Sequence, residues 1–231
     1  MNRLGSKFFM AMPFQKRVFN KVAADLSIEP VQSLFELLMG DLTMVTDVPE
    51  ILSIPEEEMA GWRPSSKKYY RSSTRLQYAG AIFARLFGNI PEDVRSFLDI
   101  DKPKIYVAMA SGKKENLQRV YDTLSMVMPL CDLAIIHGGQ GSVQTAISSG
   151  TPLIGFPIQP EQNFNLKQVE RHGAGLCLSL RSLRKGRLRE SINQILIDDR
   201  YKKSMRQLLT WQSSRDGALE VAKAVSELLN N

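Results

Sequence analysis

The stretch IIHGGQGSVQTAISSGTPLIGFP, from Ile135 to Pro157, decides how the second half of the chain folds. An apolar run ends at His137, three glycines and a segment of small residues follow, and a second apolar run ends at a proline. Short apolar runs are typical of buried strands, and the segment between them has the length of a helix. The stretch therefore predicts a strand, a turn rich in glycine, a helix and a second strand.

The same alternation extends from about residue 100 to the C-terminus. The predicted strands are Lys104–Ala110, Asp132–His137, Pro152–Phe156 and Gly175–Leu180. The predicted helices are Lys114–Val127, Gln140–Ser149, Gln162–Arg171 and three further segments after the last strand. Short apolar strands separated by helices indicate a parallel sheet with helices on both faces. We therefore predict an α/β fold, a Rossmann-like doubly wound parallel sheet, for residues 101–231.

Residues 1–100 have a different character. Two amphipathic segments, Phe14–Leu26 and Val31–Met39, precede a short strand-like segment, Leu42–Thr46, and a long irregular stretch rich in Pro, Ser and Glu. This half has too little strand pattern to form a sheet of its own. We therefore expect a helical and irregular region that is separate from the α/β domain.

Composition narrows the class of protein. The chain has 231 residues, of which 43% are hydrophobic and 23% charged, and this suits a globular protein with a sizeable core. No segment has the roughly 20 apolar residues that span a bilayer, so we expect no transmembrane segment and a cytoplasmic location.

Cys131 and Cys177 lie in apolar runs, which favours buried thiols over a disulfide or a metal pair. The net charge of +6 comes from scattered residues, and the densest cluster, Arg181–Glu190, is typical of a solvated helix face, so we expect no nucleic-acid partner.

The turn HGGQGS lies where a predicted strand ends and a helix begins, at the edge of such a sheet where ligands bind. Free backbone N–H groups and the positive end of the helix dipole attract phosphate, and glycine lets it approach without a Cβ in the way. His137 can donate an imidazole N–H, and Ser142 can donate a hydroxyl or cap the helix. A tight turn with a capping serine and a buried histidine has the same spacing, so the residues alone leave both interpretations open.

The block from His137 to Gly175, HGGQGSVQTAISSGTPLIGFPIQPEQNFNLKQVERHGAG, resembles the donor-sugar signature of the UDP-glycosyltransferase superfamily, which includes macrolide, sterol and flavonoid glycosyltransferases. The resemblance implies the GT-B fold, in which two Rossmann-like lobes face each other across a cleft. Residues 101–231 would be its C-terminal, donor-binding lobe, and residues 1–100 a remnant of the acceptor lobe and the linker. The implied reaction transfers a sugar from a nucleotide-diphosphate-sugar, such as a UDP- or dTDP-sugar, to the hydroxyl of a small-molecule or lipid acceptor. It would invert the anomeric carbon and need no metal or other cofactor.

The same resemblance assigns roles to individual residues. His137 and the backbone after it would hold the donor's diphosphate, and a turn at the end of the first predicted strand would face it. The residues implied in this role are Ser111, Gly112, His137, Gly139, Gly141, Ser142 and Val143. Glu161 and Gln162 would hydrogen-bond the sugar hydroxyls, since a carboxylate accepts and a carboxamide both donates and accepts. Taken alone, these two residues also suit an ordinary helix N-terminus.

The sequence departs from the family pattern in three places. Gln144 and Thr145 stand near the position where many members have a glutamate that holds the ribose. The family's histidine base has no counterpart in residues 1–100, so we predict no catalytic residue. Two strands between Lys104–Ala110 and Asp132–His137 are missing, which would make these strands neighbours in a sheet that lacks two edge strands. The alternative function is therefore an inactive truncated or spliced form that binds a partner, or half of a transferase whose partner chain supplies the acceptor lobe.

Overall fold

The computed structural model describes residues 16–31, 33, 36, 38–63, 73–82, 89–109, 126–183 and 186–230. Its strands are β1 (Leu42–Val45), β2 (Arg75–Tyr78), β3 (Ile105–Ala108), β4 (Leu133–Ile136), β5 (Leu153–Gly155) and β6 (Gly175–Cys177). Its helices are α1 (Lys16–Asp25), α2 (Pro49–Leu52), α3 (Glu56–Gly61), α4 (Glu92–Leu98), α5 (Gln140–Ser149), α6 (Pro160–Arg171), α7 (Leu180–Leu183), α8 (Arg187–Ile197), α9 (Asp199–Gln212) and α10 (Gly217–Leu229).

A parallel sheet organises the second half of the chain. Strands β3, β4, β5 and β6 pair side by side in chain order, with Ile105 opposite Leu133 and Ala134 opposite Leu153. The predicted α/β, Rossmann-like fold is therefore confirmed. The direct pairing of β3 with β4 also confirms that the first two predicted strands of this half are neighbours.

The core lies on both faces of this sheet. Successive residues of a strand point to opposite faces, so Ala134 and Ile136 pack with α5, α6 and α9, whereas Leu133 and Ile135 pack with α8. All four residues are at most 6% exposed. Burial on both faces explains why these strands are continuous apolar runs in the sequence.

The first half of the chain differs from its prediction. Strands β1 and β2 form a separate two-stranded parallel sheet, with Leu42 opposite Arg75 and Val45 opposite Tyr78. The expectation that residues 1–100 form no sheet is therefore wrong. Tyr78 is buried, and its hydroxyl donates to the Ile54 carbonyl over 2.9 Å. Tertiary contacts of this kind hold a strand whose four residues are too few to show a pattern.

Smaller differences concern the helices. The stretch predicted to be irregular contains α2, which has Pro49 at its first position, and α3, which has three glutamates in its first turn. Four helices, not three, follow β6 in the described part of the chain. The predicted helix Lys114–Val127 lies almost wholly outside the described residues, as does much of the segment Val31–Met39.

Segments of the first half pack against the helices of the second. Val48 and Ile51 belong to the core on the α5 and α6 face of the sheet, and Nη2 of Arg171 donates to the Ile51 carbonyl over 3.1 Å. Arg215 forms an ion pair with Glu56. The division of the chain at residue 100 stays a prediction. Among the described helices, none is both long enough and apolar enough to cross a bilayer.

Candidate functional site

The turn that joins β4 to α5 lies at the carboxyl edge of the parallel sheet. His137 follows β4 directly and is half-buried. Its Nδ1 lies 3.5 Å from the carbonyl oxygen of Ala108, the last residue of β3. The imidazole therefore lies where β3 and β4 both end, which is the edge where the sequence predicted a ligand.

Each of the three glycines in this turn has a different structural role. Gly138 has φ of +92°, and a Cβ there would lie 2.5 Å from Leu166, so the fold itself requires glycine. Gly139 has an ordinary φ of −59°, but a Cβ there would lie 2.8 Å from Nε2 of His137. Gly141 is exposed, and a Cβ there would meet nothing within 4 Å. Gly139 thus makes room for the imidazole, and Gly141 leaves the start of α5 uncovered.

Helix α5 begins without a side-chain cap from the described residues, and its N-cap residue is Gly139. The interpretation in which Ser142 caps the helix is therefore wrong. Backbone N–H groups in the first turn of a helix have no acceptor within the helix, and here they belong to Gln140, Gly141 and Ser142. The N–H of Val143 already donates to the Gly139 carbonyl over 3.1 Å. This uncapped helix start, with its positive dipole, can bind an anion.

Glu161 lies close to the same turn. It is exposed in the first turn of α6, and its Oε1 accepts a hydrogen bond of 2.6 Å from Nδ2 of Asn165. The same Nδ2 donates to the Gly138 carbonyl over 3.1 Å. Asn165 therefore joins Glu161 to the glycine turn. Asn165 was not among the predicted site residues, although its position four residues after Glu161 places the two side chains on one helix face.

Gln162 has a structural role at the start of α6. The residue is 8% exposed, and its Oε1 accepts from the N–H groups of Ile158 over 2.8 Å and Gln159 over 3.1 Å. These contacts form part of a capping box between Gln159 and Gln162. The oxygen of Gln162 is therefore used in capping the helix, as expected for an ordinary helix N-terminus. Its NH₂ group is the part that can donate a hydrogen bond to a sugar hydroxyl.

The side chains near the expected ribose position bond to the protein itself. Gln144 Nε2 donates to the Thr46 carbonyl over 2.6 Å, and Gln140 Nε2 donates to the Thr46 hydroxyl over 2.5 Å. The hydroxyl of Thr145 donates to the Gly141 carbonyl over 2.8 Å. Gln144 and Thr145 are both buried. The bond of Thr145 lies within α5, whereas Gln140 and Gln144 connect the helix to the segment that follows β1.

The remaining predictions about site residues concern the facing turn and metals. Ser111 and Gly112 lie outside the described residues. In the described ranges, no group of three or more His, Cys, Asp or Glu side chains is arranged to hold a metal ion. Cys131 and Cys177 are half-buried free thiols.

Known proteins are similar to this chain over much of its length. The family model described as erythromycin biosynthesis protein CIII-like, C-terminal domain, matches residues 87–228, more than half of the chain. UDP-glycosyltransferase UGT5 of Dactylopius coccus is 38% identical over 100 residues, which cover 42% of this chain and 19% of the relative. A PGL/p-HBAD biosynthesis glycosyltransferase of Mycobacterium tuberculosis is 22% identical over 202 residues, covering 73% of this chain and 44% of the relative. The chain thus spans less than half the length of both relatives.

A solved structure shows a similar fold. The spinosyn forosaminyltransferase SpnP matches with a TM-score of 0.67 at 14% sequence identity. The match covers 99% of this chain and 67% of that one. It therefore extends over the first half of the chain as well as over the parallel sheet.

Proposed function

We propose that this chain, which belongs to the erythromycin biosynthesis protein CIII-like family, binds a nucleotide-diphosphate-sugar at the carboxyl edge of its sheet. The family lies within the UDP-glycosyltransferase superfamily of GT-B fold glycosyltransferases. The proposed reaction transfers the sugar to the hydroxyl of a small-molecule or lipid acceptor. Inversion at the anomeric carbon, a UDP- or dTDP-sugar as donor, and a cytoplasmic location stay predictions.

The uncapped start of α5, with His137 over it, is the observation that carries this proposal. A diphosphate is an anion with several acceptor oxygens, and backbone N–H groups together with an imidazole N–H supply donors to it. The exposed position of Gly141 leaves the first turn open to such a ligand. In sugar transfer these donors would stabilise the negative charge that develops on the departing diphosphate.

Glu161 supports the assignment of a sugar. Its carboxylate accepts a hydrogen bond from Asn165, and Asn165 also donates to the glycine turn. A carboxylate can accept hydrogen bonds from sugar hydroxyls. In the proposed complex Asn165 is a positioning residue, because it fixes Glu161 relative to the turn that binds the diphosphate.

Neither histidine of the chain has the position of an acceptor base. His137 lies over the start of α5, next to the proposed diphosphate site. Nε2 of His172 lies 3.0 Å from the Ile51 carbonyl, and its ring contacts Trp211 edge to face. The proton of the acceptor hydroxyl must therefore go to a base other than these two residues.

A second candidate function, half of a transferase that works with a partner chain, is supported by α1 and the turn after it. Val18, Val22 and Leu26 are spaced four residues apart and are each more than half exposed. Apolar side chains that share one helix face and are exposed together are typical of a contact surface. In this proposal a chain that supplies the acceptor lobe covers that face.

Calorimetry with a nucleoside diphosphate and with the matching nucleotide-sugar tests the proposed function. We expect Glu161→Ala to weaken only the nucleotide-sugar, by about 10- to 150-fold, because one hydrogen bond to a charged group is worth about 1.5–3 kcal/mol. Glu57→Ala, at an exposed glutamate of α3, is the matched control and should bind both ligands as the wild type does. An equal loss for both ligands would exclude the sugar contact, and no binding of either ligand by the wild type would overturn the proposed function.

A further inference from the structure

A small cavity lies where the segment after β1 meets α5, α6 and α9. Its polar lining is formed by Asp47, Gln140, Gln144, Asn165, Gln168 and Gln212, and the rest of the described wall is apolar. The cavity has a volume of about 20 Å³, which is enough for one particle of the size of a water molecule. The cavity adjoins the glycine turn, since Gln140 at the start of α5 and Asn165 also line it, but the proposed diphosphate donors, His137 and the N–H groups of Gly141 and Ser142, are not among its lining residues.

Three carboxamide oxygens around this cavity lack a partner. The Oε1 atoms of Gln144, Gln168 and Gln212 are buried and accept no hydrogen bond within the described part of the chain. Gln144 and Gln212 are each only 5% exposed. Leaving such an oxygen unsatisfied costs its desolvation free energy with nothing in return, and native structures satisfy nearly all of them. Three unsatisfied oxygens at one cavity therefore indicate a shared partner.

The orientation of Gln144 shows what kind of partner is needed. Its Nε2 donates to the Thr46 carbonyl over 2.6 Å, so its oxygen is the atom left over. Asp47 adds a carboxylate to the same lining, and one of its oxygens accepts the Val48 N–H over 2.9 Å. Among the described residues that line the cavity, none carries a positive charge that could balance this carboxylate.

We propose that this cavity binds one small monovalent cation, held by the carboxamide oxygens of Gln144, Gln168 and Gln212 and by the carboxylate of Asp47. A water molecule has two hydrogens and cannot donate to three oxygens, whereas a cation attracts all of them together. Carbonyl-type oxygens coordinate sodium and potassium in other proteins. One carboxylate balances one positive charge. Calcium takes 6–8 oxygens and magnesium keeps several of its waters, which this volume does not admit.

The bound cation would connect four segments of the chain. Asp47 belongs to the first half, Gln144 to α5, Gln168 to α6 and Gln212 to the end of α9. The cation would therefore stabilise the packing of the first half on the parallel sheet. This role does not depend on the proposed donor site, so its test and the calorimetric test of that site have independent outcomes.

Thermal unfolding of the full chain in different chloride salts tests the proposal. Sodium, potassium or ammonium chloride replaces tetramethylammonium chloride, whose cation is too large for the cavity, at constant ionic strength. We expect a saturable rise of the unfolding temperature in at least one small-cation salt. At one hundred times the Kd the rise should be roughly 5–10 °C for a chain of this size. Equal unfolding temperatures in all four salts would overturn the proposal.

Three variants locate the effect. Gln212→Leu removes one oxygen of the site and should abolish the rise, whereas Gln207→Leu, at an exposed position of the same helix, should retain it. If Gln212→Leu does not fold, Asp47→Asn decides the question, because it removes the balancing charge while keeping the shape of the side chain. A rise that persists in the folded cavity variant would place the cation elsewhere and would also overturn the proposal.

Discussion

Replacing Gly139 by alanine separates the role of this glycine in the fold from its role at the site. Its φ of −59° and ψ of 144° suit alanine, so the backbone needs no change. The new Cβ would nevertheless lie 2.8 Å from Nε2 of His137, whereas ordinary contacts begin near 3.4 Å. The imidazole must therefore retreat by about 0.6 Å or rotate away from the start of α5.

Gly139→Ala should lower the free energy of unfolding only slightly and should weaken ligand binding more strongly. The clash is with the end of a half-buried side chain, so the free energy of unfolding should fall by about 1 kcal/mol at most, the usual cost of an unfavourable rotamer. If the displaced ring loses its hydrogen bond to a charged phosphate, about 1.5–3 kcal/mol of binding free energy is lost. Affinity for a nucleoside diphosphate should therefore fall by about 10- to 150-fold.

Urea unfolding and calorimetry on the same preparations measure the two effects. Gly61→Ala is the matched control, because a Cβ at Gly61 meets nothing within 4 Å and the residue lies in α3, outside the proposed site. The control should leave the affinity unchanged, and it should raise the free energy of unfolding by about 1 kcal/mol or less. Wild-type affinity in a folded Gly139→Ala variant would show that the imidazole does not contact the diphosphate.

Three further predictions follow from the structure. Gly138→Ala should lower the free energy of unfolding by roughly 2–5 kcal/mol in urea, because φ is +92° and the new Cβ would lie 2.5 Å from Leu166; unchanged stability would contradict this. Burial raises the pKa of Asp47 from 3.8 to about 6, so the folded state binds more protons than the unfolded state between these values. In tetramethylammonium chloride, the contribution of Asp47 to stability should then fall by about 3 kcal/mol as pH rises through this window. The wild type should lose this much relative to Asp47→Asn, and parallel pH profiles of the two proteins would argue against it. The purified chain with hydroxyl acceptors and a nucleotide-sugar should not reach turnover on the order of 1 s⁻¹, because His137 and His172 are both engaged elsewhere; transfer at that rate would show an acceptor base that the structure has not revealed.

The parallel sheet was predictable because its sequence signals are local. β4 and β5 are buried on both faces, so each is a continuous apolar run. Helix α5 was predicted with its observed bounds because glycines lie at both ends. Gly150 after its last residue has φ of +67°, the left-handed conformation in which helices commonly end.

The two-stranded sheet was not predictable because its signals are not local in the sequence. β2 has four residues, of which only Leu76 and Tyr78 are apolar, and its partner strand lies more than 30 residues earlier in the chain. Such pairing depends on tertiary contacts, which a short pattern does not encode.

In the candidate site, too, local features were predictable and contacts between distant segments were not. His137 and the glycines after it form one contiguous motif, so the sequence alone places them at a strand end. The bridge made by Asn165 and the contact of Gln144 with Thr46 join separate segments, the latter across 98 residues. The cavity at Asp47 is likewise assembled from four segments, and its unpaired oxygens become visible only when these segments are packed together.

Calorimetry of a nucleoside diphosphate with the wild type, His137→Ala and His172→Ala tests whether the diphosphate binds at the start of α5. The two histidines are the only ones in the chain, and the same substitution at His172 controls for the loss of an imidazole outside the proposed site. We expect binding to the wild type, a loss of about 10- to 150-fold for His137→Ala, and wild-type affinity for His172→Ala. Equal affinity of the wild type and His137→Ala would contradict the claim that the diphosphate binds at the start of α5.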